Sequence, residues 1–167
     1  MAAALGSALF LFIAAGIGAG LIPWRISHWN IHAPLLGFPL TRALGASLIV
    51  LGVTVVADSF ARFAFQGLGT PAPLFPTRRL VVTGFYRYVR NPIYLAAVSV
   101  ILGEGMILGN VNVLAYGVLA WLGTTWFVVG YEEPTLRKTF GAEYDAFCNN
   151  VPRWIPRLRP WNPERRE

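Results

Sequence analysis

The sequence contains four apolar runs, about Leu5–Ile22, Leu44–Phe65, Pro92–Leu108 and Val111–Val129, each close to the ~20 residues that let an α-helix cross a hydrocarbon core of ~30 Å. No other feature restricts the fold as much. Lipid offers no partner for backbone N–H and C=O groups, so a run of this length within a bilayer has to be helical. Hydrophobic residues make up 55% of the 167 positions and charged residues 13%, where a soluble domain carries roughly 25% charge. The expected architecture is all-α and integral to the membrane, with about four transmembrane helices and five as the alternative. Residues 1–167 read as a single membrane-embedded domain with a cytosolic loop over 66–91 and a cytosolic C-terminal segment over 130–167.

The connections set the topology. The first run resembles a signal peptide, but no Lys or Arg precedes it and no clear cleavage site follows, so an uncleaved span is expected. Its small residues, Ala14, Ala15, Gly16, Gly18 and Gly20, suit close helix contact. Pro23–Arg42, with three prolines and Trp24 and Trp29, reads as an interfacial loop with aromatic anchors. Only Gly109 and Asn110 separate the third and fourth runs, which makes them an antiparallel helical hairpin whose far ends lie on one side. Of the 14 basic residues, 12 fall at the end of the second run (Arg62), in the connection after it or in the C-terminal tail, and 2 in the first loop. The positive-inside rule then places the N-terminus, the middle connection and the C-terminus in the cytoplasm.

Net charge is +6, but so apolar a chain does not resemble a basic nucleic-acid binder, and no nucleic-acid partner is expected. Cys148 is the single cysteine, which excludes an internal disulfide. His28 and His32 would face one metal only on a helix, and their segment holds prolines and no acidic partner, so no metal site is expected. Asp58 and Arg62, four apart, read as a helix ion pair. Glu104 is the one acidic residue well inside a run, and bonding to a neighbouring helix is the plainer account of it.

Polar chemistry gathers where the hairpin's two ends meet. Asn91 and Pro92 are an N-cap and first-turn pair for the third run, Tyr94 sits in its first turn, and Arg87 and Arg90 stand beside it. Free backbone N–H groups and guanidiniums together suit an anion or carboxylate. The alternative is that Asn-Pro only starts a helix and the arginines meet lipid headgroups. At the other arm, Tyr131-Glu132-Glu133-Pro134 puts two carboxylates at a helix C-terminus, which opposes the helix dipole unless cations or hydroxyls stand close by. Glu133 can cap a following helix begun by Pro134, whose Leu136, Phe140, Tyr144 and Phe147 share one face, making a C-terminal amphipathic helix; Glu132 has no such role. The hairpin brings both clusters to one membrane level.

The segments Arg90-Asn91-Pro92-Ile93-Tyr94, Tyr131-Glu132-Glu133-Pro134, Phe140-Gly141-Ala142-Glu143-Tyr144 and Val151-Pro152-Arg153-Trp154-Ile155-Pro156, in this order, resemble the isoprenylcysteine carboxyl methyltransferase family and its phospholipid N-methyltransferase relatives, in a prokaryotic-type form. The resemblance covers roughly Gly67 to Pro156. It implies an S-adenosylmethionine-dependent methyltransferase of a bacterial or archaeal inner membrane, with the cofactor held by Arg90, Asn91, Pro92, Tyr94, Glu132 and Glu133. Eukaryotic members carry His where this chain has Asn91, and Asn cannot titrate near neutral pH.

Methyl transfer from a sulfonium needs alignment in a dry site rather than a metal or a covalent nucleophile. Arg153 and Arg90 are the candidate catalytic residues, Arg153 being placed to meet a substrate carboxylate or phosphate, with a snorkelling headgroup contact as its alternative. Gly67 and Gly69 could admit a close backbone approach to the cofactor, or belong to a flexible linker. The expected acceptor is a carboxylate or amine of a lipid-like or prenylated molecule. The competing class is a non-enzymatic membrane protein, a scaffold or transporter subunit, whose basic face binds anionic lipid.

Overall fold

The computed structural model describes residues 16–66 and 80–162. Residues 5–15 of the first apolar run, Gly67 to Arg79 with Gly67 and Gly69, and Arg165 and Arg166 lie outside the described residues. Within them every regular element is helical: α1 Ile22–Ser27, α2 Leu40–Gln66, α3 Pro92–Leu108, α4 Val111–Phe127, α5 Glu133–Phe140 and α6 Ala142–Asn150. A π-helical turn, Ile17–Leu21, runs into α1, and a second, Val128–Glu132, joins α4 to α5. Short 3-10 turns occupy Leu35–Gly37 and Gly84–Arg87.

The helical hairpin falls where the sequence puts it. Gly109 ends α3 at φ 64°, and its N–H bonds the Gly105 carbonyl; only a residue without Cβ adopts that left-handed conformation freely. Asn110 then starts α4, its side-chain oxygen accepting from the N–H groups of Asn112 and Val113 at 3.0 and 3.2 Å.

Small residues build the seam between α2 and α3. A Cβ on Gly45 would fall 2.6 Å from the Gly103 carbonyl oxygen, and one on Gly52 would fall 2.8 Å from that of Ala96. Gly45, Gly52 and Ser59 recur every seven residues and are all buried, and at Gly45 and Gly52 backbone meets backbone across the antiparallel pair. Of the small residues noted in the first run, Ala14 and Ala15 lie outside the described residues. Gly16 and Gly20 have nothing within 4 Å, while Gly18 lies against the Tyr116 hydroxyl, which donates to the Gly18 carbonyl at 2.8 Å.

The fourth apolar run does not stop at Val129. Its helix continues through the π turn into α5, so Pro134 does not begin a separate helix and Glu133 makes no cap. Proline has no N–H for the carbonyl four residues back and its ring crowds that carbonyl; one wider turn absorbs both faults. The same device appears at the other π turn. Each ends two residues before a proline, Leu21 before Pro23 and Glu132 before Pro134.

The C-terminal amphipathic helix is likewise two pieces, α5 and α6, broken at Gly141 (φ 52°, ψ −126°), a conformation that glycine tolerates. The shared face survives the break. Tyr144, Phe147 and Val151 are buried against Leu80, Val82, Leu136, Phe140, Cys148 and Trp161.

Leu40–Ser59 and Val111–Phe140 are long and apolar enough to cross a membrane, and Pro92–Leu108 is a shorter apolar helix. α2 and α4 turn apolar side chains outward, Val50, Leu51, Leu119 and Trp126 being exposed, whereas no residue of α3 is exposed. Contiguous apolar surface of this kind suits lipid rather than water. At the Gly109 end, the loop after α1 is tied to the hairpin by the His32 N–H to the Leu108 carbonyl, 2.8 Å, and to α2 by Arg42, which donates to the His32 carbonyl at 2.8 Å.

Candidate functional site

The opposite end of the hairpin carries the polar cluster. Pro92 opens α3, and the first-turn amides of Ile93 and Tyr94 precede the first α-helical bond, from the Leu95 N–H to the Asn91 carbonyl at 3.1 Å. Asn91 stands at the N-cap position, but its side chain does not cap. Its Nδ2 donates to the Arg153 carbonyl at 3.2 Å instead, and the neighbouring Arg90 N–H donates to the Pro152 carbonyl at 2.9 Å. The start of α3 is therefore clamped to the chain beyond α6.

The two glutamates diverge, and the π turn sets their directions. Glu132 accepts from the Tyr94 hydroxyl at 2.9 Å. Glu133, with 8% of its side chain exposed, accepts from Arg153 Nε at 2.6 Å and Nη2 at 2.9 Å, a bidentate pair, and meets Arg90 Nη1 at 3.3 Å. The helix does not end here, yet the two carboxylates do find donors, one hydroxyl for Glu132 and two guanidiniums for Glu133. Arg90 is 11% exposed, also donates to Cys148 Sγ, and keeps a buried Nε with no hydrogen-bond partner.

Arg153 is not a free cation. Its guanidinium spends two nitrogens on Glu133, leaving Nη1 on a side chain 37% exposed. Arg87 is likewise engaged, its Nε donating to the Trp161 carbonyl at 2.6 Å. Asp58 and Arg62 do form the helix ion pair, at 2.8 and 2.9 Å, and a side chain on Gly84 (φ 57°) would collide with Arg62.

Tyr86, which sequence reasoning passed over, belongs to the cluster. Burial raises its hydroxyl pKa, and the charge of Glu132 raises it further, so a neutral phenol stands beside that carboxylate. Its signal in the sequence was the pair Tyr86 and Tyr94, eight apart across the Asn91-Pro92 boundary. Glu104 lies far from this cluster along α3, and its Oε2 is buried without a partner.

The chain is similar to two named methyltransferases. A phosphatidylethanolamine N-methyltransferase from Laccaria bicolor is 33% identical over 124 residues, covering 72% of this chain and 13% of that protein. A protein-S-isoprenylcysteine O-methyltransferase from Schizosaccharomyces pombe is 36% identical over 78 residues, 46% of this chain and 33% of the relative. The chain thus spans a minor part of each of these relatives. Residues 40–143, from the start of α2 to the start of α6, match the sequence pattern described as phospholipid methyltransferase. They include both arms of the hairpin, with Tyr94 bonded to Glu132 at its base, and by that match the chain belongs to the phospholipid methyltransferase family.

Proposed function

We propose that this protein transfers a methyl group from S-adenosylmethionine to a carboxylate or amine of a lipid-like acceptor within the membrane. The observation that carries the reading is the Tyr94–Glu132 bond beside the Arg153–Glu133–Arg90 ion pairs, set at the end of apolar, outward-facing helices. Both relatives are named for methyl transfer to such acceptors.

The residues fit the cofactor. First-turn amides of α3 that Asn91 leaves uncapped, together with the partnerless Arg90 Nε, suit a carboxylate. Glu132 suits a ribose diol or an ammonium group. When bound, the cofactor supplies an electrophilic methyl on a sulfonium, already carrying a good leaving group. Arg90, Asn91, Pro92, Tyr94, Glu132 and Glu133 would hold it. Tyr94 orients the Glu132 carboxylate, and Arg90 and Arg153 fix Glu133, so the negative wall is preorganised rather than solvated. Arg153 Nη1 would meet an acidic group of the acceptor, and Arg90 shares its load on Glu133.

The proposed topology is four spans with both termini cytoplasmic, which puts the site at the cytosolic leaflet, in keeping with the distribution of basic residues.

The test is saturable binding of S-adenosylmethionine to the purified protein, followed by incubation of labelled cofactor with total membrane lipid. Binding that weakens in Glu132→Gln and methyl label in a lipid ester or headgroup amine are expected. No saturable binding, or binding unchanged by that substitution, overturns the reading and leaves the scaffold or transporter class.

A further inference from the structure

The segment after α6 combines two properties that rarely meet. Ile155 is 77% exposed and Leu158 99% exposed, yet the backbone carrying them is firmly held. The Arg90 N–H bonds the Pro152 carbonyl at 2.9 Å, the Arg157 N–H bonds the Tyr88 carbonyl at 3.0 Å, and the Trp161 N–H bonds the Arg87 carbonyl at 2.9 Å. Trp161 also stacks on Phe147 with ring centres 5.9 Å apart. Residues 152–161 therefore run antiparallel to 87–90 as a strap.

Its depth follows from what it holds. Arg90 and Asn91 immediately precede the first residue of α3, where that apolar helix begins. The strap thus lies at the level where the helix leaves hydrocarbon. Arg157 and Arg159 flank Leu158, and no acidic residue occurs from Val151 to Asn162. Exposed apolar side chains set between arginines at that level match one surface, a bilayer carrying anionic headgroups.

We propose that Pro152–Trp161 docks on the anionic face of the bilayer in which the chain sits, with Ile155 and Leu158 entering the headgroup region and Arg159 meeting lipid phosphate. Because the inner edge of the strap clamps Arg90 and Asn91, the composition of the leaflet is felt at the site. The inference rests on the membrane placement proposed above and not on methyl transfer.

The experiment uses the full chain in nanodiscs of phosphatidylcholine, with or without phosphatidylglycerol. A nitroxide is placed at Leu158→Cys, and in a second sample at Trp126→Cys, with the signal from Cys148 of the unsubstituted protein subtracted. Relative access of oxygen and a nickel chelate reports depth. The expected result is that the Trp126 site reads as lipid in both discs, whereas the Leu158 site moves towards lipid when phosphatidylglycerol is present. Arg159→Gln should lower the docked-to-free ratio about fivefold in the anionic disc. A Leu158 site that stays water-accessible, or lies equally deep in both discs, overturns the proposal. A Trp126 site open to the chelate overturns the membrane placement itself.

Discussion

The Tyr94 hydroxyl donates to Glu132 Oε2 across 2.9 Å, tying the first turn of α3 to the π turn that follows α4. The two residues are 38 apart in the chain, and the tight Gly109-Asn110 turn is what brings them level. This bond closes the base of the hairpin. It also holds the carboxylate in one orientation before any ligand arrives.

Tyr94→Phe removes that hydroxyl and little else. A hydrogen bond to a charged group contributes ~1.5–3 kcal/mol, so affinity for S-adenosylmethionine should fall by about tenfold or more, with the fold retained. Calorimetric titration of the purified variant checks this, and unchanged affinity would show that Glu132 needs no orienting partner.

Glu133→Gln leaves Arg90 nearly buried with a lost counter-charge. Breaking a buried pair from one side costs roughly 3–5 kcal/mol, and the exposed part of Arg153 places the cost at the lower end. The thermal midpoint in detergent should drop clearly. Arg153→Lys, which keeps the charge but loses the bidentate geometry, should drop it less.

Asn91→His puts a titrating ring where the chain has an amide donating to the Arg153 carbonyl. None of the groups bonded in the cluster around Asn91, Tyr94 and the glutamates is an imidazole. The substitution should therefore introduce an inflection at about pH 6–7 in cofactor binding that the unsubstituted protein lacks. Parallel titrations of both proteins between pH 5 and pH 8 would decide it.

Tyr86 offers an alkaline counterpart. Its pKa is raised first by burial and then by Glu132, so its contribution is intact below the unfolded value of about 10 and is lost as pH rises towards the higher folded value. Stability should hold up to about pH 10 and decline above it. Tyr144, raised chiefly by burial, adds to the same decline. Tyr86→Phe should make the loss shallower in denaturation curves recorded along a pH series, and an unchanged slope would assign the decline elsewhere.

Gly45→Ala drives a methyl group into the Gly103 carbonyl, 2.6 Å away. Overpacking of this kind costs about 1–3 kcal/mol. Gly16→Ala, which meets nothing within 4 Å, should be neutral or slightly stabilising, and comparison of the two melting curves tests the seam.

Local signals in the sequence were the readable ones. Gly109, by its missing Cβ, and Asn110, by its side-chain oxygen, carry the turn chemistry locally, so the end of α3 and the start of α4 are legible in the sequence. The demand for positive charge and hydroxyls near Glu132 and Glu133 is legible too, but for another reason than a helix end: the helix runs on to Phe140, and it is burial that makes the carboxylates need donors. Pairwise identities were not. Which arginine meets Glu133 depends on the chain folding back after α6, a matter of long-range backbone hydrogen bonds that leave no periodic trace. Pro134 reads as a helix start because proline at a first turn looks the same whether the preceding helix stops or widens into a π turn. The seven-residue spacing of Gly45 and Gly52 is a weak signal within an apolar run, and only the packing of α3 against it shows its meaning.

The α2–α3 seam also decides traffic. The Gly103 carbonyl already stands where a methyl group on Gly45 would go, and Ala96 does the same for Gly52. An acyl chain cannot slip through a gap that refuses one carbon. On the proposed membrane placement, that flank is a closed wall to any molecule dissolved in the bilayer.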